Sequence, residues 1–546
     1  MRSRLAVCLA ACLLTSLSAV ALSAPDPVVD ASPWHGHKRV PTATPIKHLV
    51  VIFQENVSFD HYFGTYPYAA NAPGEPPFYA KADTPKVNGL NKQLLSSNPT
   101  ANNAANGTGA INPFRLSRAQ AATADQDHDY MPEQQAFDNG AMDLFPKYTG
   151  SGEALPGGTG AEDGNGQVMG YYDGNTVTAL WHYAQHFAMS DNSYNTTFGP
   201  STPGALNLIS GQTNGISEQL AAGGDVVADG QGGYTLISDA DPIDDVCSNS
   251  SGARVRMSGK NIGELLNAKR ITWGFFEGGF DLTTVNPNGS TGCKRSNTST
   301  VTKAKKVDYI PHHQPFQYYA PTANPTHARP TSVAMIGHSG DAANHQYDLN
   351  DFYAAVAAGN MPAVSFLKAP GYQDGHAGYS DPLDEQQFIV RVLNFLQQRP
   401  EWRDTAVVIA YDDSDGWYDH QAAPQVNASA SSQDALNATG VCNGRSTLPG
   451  VNSTRPVQGR CGYGPRLPLL VISPWARRNH VDHTVTDQSS ITRFIEDNWL
   501  RGERLGGGSF DAVAGKLNNM FDFDDPFGEN RRLFLDEGTG EPMTGK

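Results

Sequence analysis

Leu49 to Phe53 are apolar without a break, and the run stops on an adjacent carboxylate and carboxamide, Glu55 and Asn56, within the segment HLVVIFQENVSFDHYFGTYP. Apolar side chains at every position, rather than every second one, predict a strand covered on both faces, as in a parallel sheet flanked by helices. Ligands in such folds sit beyond the carboxyl ends of the strands. Glu55 and Asn56 are therefore placed to build a ligand site, although taken alone the segment also reads as the start of a polar loop.

The same design recurs along the chain. Apolar runs at Ile271–Phe276, Ala363–Leu367, Ala406–Tyr411 and Leu469–Ile472 are separated in several places by helical patterns, which predicts an α/β layer fold. The stretch Gln386–Gln397 puts Phe388, Val392, Phe395 and Leu396 on one helical face and closes at Pro400; Ser490–Leu500 does the same with Ile491, Phe494, Ile495 and Trp499. Such stripes read as core contacts. Residues 66–125, 149–166 and 423–460 lack core periodicity and read as loops or insertions. The stretch 212–305, rich in Gly, Asn and Thr, is expected to form a lid or small β-rich insertion around one plausible strand.

The first residues place Arg2 and Arg4 before an apolar stretch that ends in small residues, the layout of a secretory signal peptide over residues 1–24. Cleavage after Ala21 or Ala24 fits, and Leu9-Ala10-Ala11-Cys12 also resembles a lipoprotein box. An exported protein, periplasmic or secreted, is expected. Beyond the leader no apolar segment reaches the about 18 residues of a membrane span. The cysteines outside the leader are Cys247, Cys293, Cys442 and Cys461. The pairing Cys247–Cys293 and Cys442–Cys461 is favoured because each pair closes a Gly/Ser/Asn-rich insertion and the two lie far apart. Their spacing is wrong for zinc. A formal net charge of −16 argues against nucleic acid as a partner and suits an enzyme that holds a cation.

The run Ala406–Tyr411 leads directly into Asp412-Asp413-Ser414-Asp415-Gly416. Glu55, Asn56, Asp412 and Asp413 together are hard oxygen donors suited to one divalent cation, with calcium, magnesium, manganese, iron and zinc left open. DDSDG also reads as a structural calcium loop, though without helix-loop-helix spacing. Phe198-Gly199-Pro200-Ser201-Thr202-Pro203-Gly204 precedes a helix expected to start at Ala205. A hydroxyl there sits beside unpaired backbone N–H groups and the positive end of the helix dipole, where phosphate binds. Ser201 is the candidate nucleophile, activated by the metal; an ordinary helix cap is the alternative. His128, His312, His313 and His376 lie in polar or aromatic loop contexts. They can bind phosphate oxygens or protonate a leaving alkoxide, although each taken singly also reads as a surface or capping residue. Adjacent residues point apart, so one of His312 and His313 is expected to face the site.

ENVSFDHYFG, GPST, HHQPFQYY, YDDSDGWYDH and GYGPRLPLLVISPWA together resemble the bacterial phosphoesterase family that includes exported acid phosphatases and phospholipases C. The resemblance covers nearly the whole chain after the leader. It implies an alkaline-phosphatase-like fold over residues 25–546 as a single catalytic domain, with a central mostly parallel sheet flanked by helices. It also implies metal ligation by Glu55, Asn56, Ser201, Asp412 and Asp413, attack by Ser201, and substrate-side roles for His128, His313 and His376, with His312 alongside. Two departures stand out, Asp412-Asp413 where phospholipases C commonly show Asp-Glu, and GPSTPGA where they show GPTxPNR. The chain also stops soon after the catalytic region. These features point to a metal-dependent acid phosphatase acting on small phosphomonoesters through a phosphoserine. Phospholipase C activity on phospholipid head groups is the alternative, and a calcium-stabilised binding module without catalysis is the reading from another class.

Overall fold

A computed structural model describes residues 41–155, 157–158, 160–444, 456–525 and 531–543. The expected leader lies outside these residues, as does 445–455 of the stretch 423–460. Eight strands form the main sheet: β1 His48–Gln54, β2 Ala188–Ser190, β3 Trp273–Glu277, β4 Gln346–Asp348, β5 Val364–Lys368, β6 Thr405–Tyr411, β7 Leu469–Ile472 and β8 His480–Asp482. Their spatial order is β4-β3-β5-β1-β6-β7-β2-β8. β1 is parallel to both β5 and β6, and only β7 runs against its neighbours. Each run predicted from the sequence is a strand of this sheet. β6 is buried along its whole length and β1 from Leu49 onward, which is why their apolar residues do not alternate.

The helices that matter here are α1 Phe59–Phe63, α2 Tyr130–Ala136, α3 Ser201–Ser210, α4 Pro382–Gln397 and α5 Ser489–Trp499. Asp381 caps α4 by accepting from the N–H groups of Leu383 and Asp384 at 2.9 and 3.1 Å. Pro382 suits the first helical position, where no N–H partner is lost. α4 buries Phe388, Val392 and Leu396, and α5 buries Ile491, Phe494, Ile495 and Trp499. Each such side chain contributes about 1.5–3 kcal/mol by leaving water.

The stretch 212–305 is not continuous. Its β-rich parts are a three-stranded sheet, Ile216–Leu220, Arg254–Met257 and Asp241–Pro242, an antiparallel pair, Val226–Ala228 with Tyr234–Leu236, and the first strand of a hairpin, Ser296–Thr298 with Lys305–Val307. Between them β3 returns to the main sheet. Disulfides join Cys247 to Cys293 and Cys442 to Cys461. No helix among the described residues is long and apolar enough to cross a membrane.

Candidate active site at the carboxyl ends of the strands

Strand register brings the polar ends together. Gln54 of β1 pairs with Tyr411 of β6, Ile52 with Leu367 of β5, and Lys368 with Glu277 of β3. Glu55, Asp412, Lys368 and Glu277 therefore come off neighbouring strands at one end of the sheet. The Lys368 ammonium contacts Glu55 Oε1 directly and lies 3.5 Å from Asp412 Oδ2. Asp412 Oδ1 accepts from the backbone N–H groups of Asn56 and Asp413 at 3.1 and 2.8 Å. Asn56 has a φ of 61°, in the left-handed region that Asn tolerates better than most residues. Its amide nitrogen donates to Asp415 Oδ1 at 3.0 Å, while its carbonyl Oδ1 is buried without a partner.

Helix α3 delivers the hydroxyl. Gly199, at φ 114°, turns the chain into it, and Ser201 is its first residue rather than Ala205. Ser201 Oγ lies 3.1 Å from both Glu55 Oε2 and Asp413 Oδ2. The helix fits so closely against the β6 end that a Cβ on Gly204 would come within 2.0 Å of the Asp412 carbonyl oxygen. That contact leaves room for glycine alone at this position. The expected set of free helix N–H groups is smaller than the sequence suggested. Thr202 N–H already donates to Asp239 Oδ1 at 2.9 Å and Pro203 has none, because a loop distant in sequence reaches the helix start.

The histidines divide. His313 Nδ1 lies 3.3 Å from Glu55 Oε1, whereas His312 turns to Asp241 at 3.5 Å and Asp239 at 3.9 Å. The two rings cross at 82°. His312 thus meets the carboxylate that caps α3. His128 Nε2 lies 3.4 Å from the Asn56 amide, and its ring is 6.0 Å from that of His376. Backbone carbonyls engage Nδ1 of each, Gln126 O for His128 at 2.8 Å and Ala377 O for His376 at 2.7 Å. This places a proton on Nδ1 and leaves Nε2 for other chemistry.

Electrostatics separates the groups further. Burial, with Asp412 adding to it, raises the Glu55 carboxyl well above its ordinary range, and Lys368 opposes the rise. Burial also lifts Asp413 well up, and pushes Asp374 to about 7 against the pull of Lys368. For His128, burial favours the neutral ring, but Asp413, Asp415 and Asp125 outweigh it and raise the pKa. His376 and His313 are held well below the usual imidazole value, first by burial and then by His128 and Lys368 respectively.

Sequence reasoning missed several members. Lys368 and Glu277 end strands, the signal that exposed Glu55 and Asp412. Asp415 lies inside DDSDG. Glu133 on α2 gives no local sign, yet its carboxylate accepts from Gly199 N–H at 3.0 Å and from Ser414 Oγ at 2.7 Å, linking the loop before Ser201 to the loop after β6. Burial lifts it to about 7.

The donor types suit a divalent cation. Glu55 and Asp413 flank Ser201 Oγ, Glu55 and Asp412 flank the Lys368 ammonium, and Asn56 adds a buried amide oxygen without a partner. These oxygens therefore carry more negative charge than Lys368 alone balances. Groups able to hold an ion are also formed by Glu55, His313 and Asp374, and by Asp125, His128, His376 and Asp415. Asp412 and Asp413 belong to neither group. One oxygen of Asp412 is turned to backbone N–H donors and the other toward Lys368. A cavity of about 640 Å³ lined by residues including Tyr66, Tyr68, Leu90 and Tyr171 shares none of these residues.

Carboxylates, a carboxamide and a helix-borne hydroxyl thus meet at the carboxyl ends of a largely parallel sheet. The phosphoesterase family model matches residues 46–500, and the chain belongs to that family. It is 24% identical over 507 residues to a non-hemolytic phospholipase C of Pseudomonas aeruginosa, covering 90% of this chain and 59% of that one. It therefore spans less than two thirds of that relative's length. Phospholipase C A of Mycobacterium tuberculosis is 22% identical over 513 residues, 91% of this chain and 80% of the relative. A solved protein of the alkaline phosphatase superfamily from Vibrio parahaemolyticus matches 66% of this chain and 67% of its own at 11% identity. Its TM-score of 0.25 adds nothing to the fold described above.

Proposed function

We propose that the protein hydrolyses phosphoric esters at Ser201, in a phospholipase C type of reaction on phosphodiesters. The observation that carries the hydrolytic reading is the Ser201 hydroxyl at the start of α3, 3.1 Å from two carboxylates. The relatives, phospholipases C matched over most of this chain, favour the diester over the phosphomonoester expected from the sequence. Ser201 Oγ forms the new bond to phosphorus as its proton passes to Glu55 or Asp413. The bond to the leaving oxygen breaks, and His128, its pKa raised despite burial by Asp413, Asp415 and Asp125, supplies that oxygen with a proton through Nε2. His376, which burial keeps neutral with its proton on Nδ1, can only accept a hydrogen bond there. Water then cleaves the phosphoserine. A divalent cation held by Glu55, Asn56, Asp412 and Asp413, with Ser201 beside them, would act as a Lewis acid on the phosphate.

One observation favours phosphomonoesters as a second reading. A phosphocholine head group calls for aromatic faces around its quaternary ammonium; of five residues that could supply them, Tyr171 is half-buried and lines the cavity that shares no residue with the Ser201 centre. Tyr172, Trp181, Tyr318 and Tyr319 are buried in the hydrophobic core. The Trp181 indole donates to Tyr62 O and the Tyr318 hydroxyl to Ala240 O. Export belongs to the same proposal and is supported by the two disulfides. The test sets a chromogenic phosphomonoester beside a chromogenic phosphocholine diester, using metal-loaded wild type and Ser201→Ala. Ser201→Ala should lose at least about a thousandfold in turnover while keeping its metal content and melting temperature. Near wild-type turnover in that variant would remove Ser201 from the chemistry, and hydrolysis of neither ester by wild type would leave the binding-module reading.

A further inference from the structure

Lys306 differs from the other cations near the centre. It sits half-buried on the Lys305–Val307 strand of the hairpin, with Nζ 3.6 Å from the centroid of the Tyr379 ring. Tyr379 stacks on His376 at 4.3 Å and donates its hydroxyl to Asp374 Oδ2 at 3.1 Å. The Lys306 stem passes so near Gly371 that a Cβ there would lie 2.8 Å from Lys306 Cγ. The hairpin is tied to α4, since Ser299 Oγ donates to Asp381 at 3.1 Å and Thr300 Oγ1 to Asp384 at 2.6 Å. Lys306 is thus presented by a braced segment beside two groups of the centre.

Among the described residues, no carboxylate lies within the 4.0 Å of an ion pair from its ammonium. Lys368, by contrast, is paired with Glu55, and Arg295 with Asp308 and Asp348. Burial lowers the Lys306 pKa, and the carboxylates of Asp374, Glu55, Asp125 and Asp239 act on it from a distance without restoring the ordinary value. Partly desolvating an ammonium that has an aromatic face but no carboxylate as its partner is unfavourable, and an anionic ligand offsets that penalty.

We propose that Lys306 is a substrate-binding residue of the Ser201 centre, its ammonium receiving a non-bridging oxygen of the phosphate group. The inference rests on the phosphoester reading of that centre. It also assigns Lys306 a part in specificity, because a doubly charged monoester or inorganic phosphate gains more from an unpaired ammonium than a singly charged diester does.

The test uses the metal-loaded full chain as wild type, Lys306→Met, Lys306→Gln and Lys306→Arg. Calorimetric binding of inorganic phosphate is the primary readout and needs no turnover. The neutral variants should bind phosphate about tenfold more weakly or worse, with Lys306→Arg recovering part of the loss. The KM for the monoester should rise more than that for the diester, with melting temperatures unchanged. Wild-type phosphate affinity in either folded neutral variant overturns the proposal, as does the absence of phosphate binding by wild type. Lys306-dependent phosphate binding in a protein that hydrolyses no ester would instead sink the catalytic reading and leave this residue's role standing.

Discussion

Two buried ionic clusters lie just past the ends of β1 and β6, and they are built on opposite principles. In the first, Arg466 donates to Asp60 Oδ1 and Asp419 Oδ2, each at 3.1 Å, and His420 Nδ1 meets Asp60 Oδ2 at 2.6 Å. Arg466 also donates to the carbonyls of Asn88 and Asp191 and lies 4.2 Å over the Phe59 ring. Two carboxylates there face two cationic side chains, and each carboxylate oxygen accepts a hydrogen bond. In the second, Glu55, Asp412 and Asp374 act on Lys368. There Asp413 meets Ser201 and Asp415 meets Asn56 and His128, and oxygens of Asn56, Asp415 and Glu277 have no partner. A satisfied network fixes a loop in place. An unsatisfied one of the same depth is organised for something that arrives from outside.

The largest effect should come from breaking the satisfied cluster. Arg466→Met leaves the Asp60 and Asp419 carboxylates buried without their shared guanidinium, and removing one member of a buried pair costs about 3–5 kcal/mol. Chemical denaturation should show a loss of that size. A loss below about 1 kcal/mol, the range of surface pairs, would mean that solvent reaches this network and that the contrast is false.

Neutralising the frustrated cluster should act the other way. In Asp413→Asn the side-chain oxygen can still accept from Asp415 N–H, now 2.8 Å from Oδ1, and the new amide can donate to Ser201 Oγ. Because burial raises the Asp413 pKa well above its ordinary value, removing its charge should stabilise the chelator-treated protein. Metal should then stabilise wild type more than the variant, and turnover should fall. A chelated variant less stable than chelated wild type would show that the carboxylates do not repel one another.

How far this contrast was legible in the sequence depends on the length of each run. Leu49–Phe53 and Ala406–Tyr411 announced buried strands because every residue is apolar, and their polar ends followed. β2, β4 and β8 have three residues each and carry too little pattern to read. Ser201 was visible from its glycine and prolines, but the Asp239 contact that occupies the Thr202 N–H spans a gap no local pattern reveals. Lys306 is one of several lysines in TKAKK, and only the hairpin's position over Tyr379 distinguishes it. Glu133 sits on an ordinary-looking helix.

The smallest expected effect separates the clusters by pH. At the satisfied cluster, burial opposes the charged forms, but Asp60 is lowered by His420 and Arg466, and His420 is raised chiefly by Asp60. The His420 contribution is therefore complete below the unfolded imidazole value of about 6.5 and is lost as pH rises through its folded value. The Asp60 contribution is present above the unfolded carboxyl value of about 3.9 and is lost as pH falls through its lower folded one. His420→Gln should thus destabilise most in mildly acid solution, by about 1 kcal/mol for a charge-assisted contact, and the deficit should shrink as pH rises. Thermal unfolding of both proteins across that interval measures the difference directly. A deficit that stays constant from acid to alkaline pH would mean that His420 contributes packing alone, and the balance of charge in this cluster would then rest on Arg466.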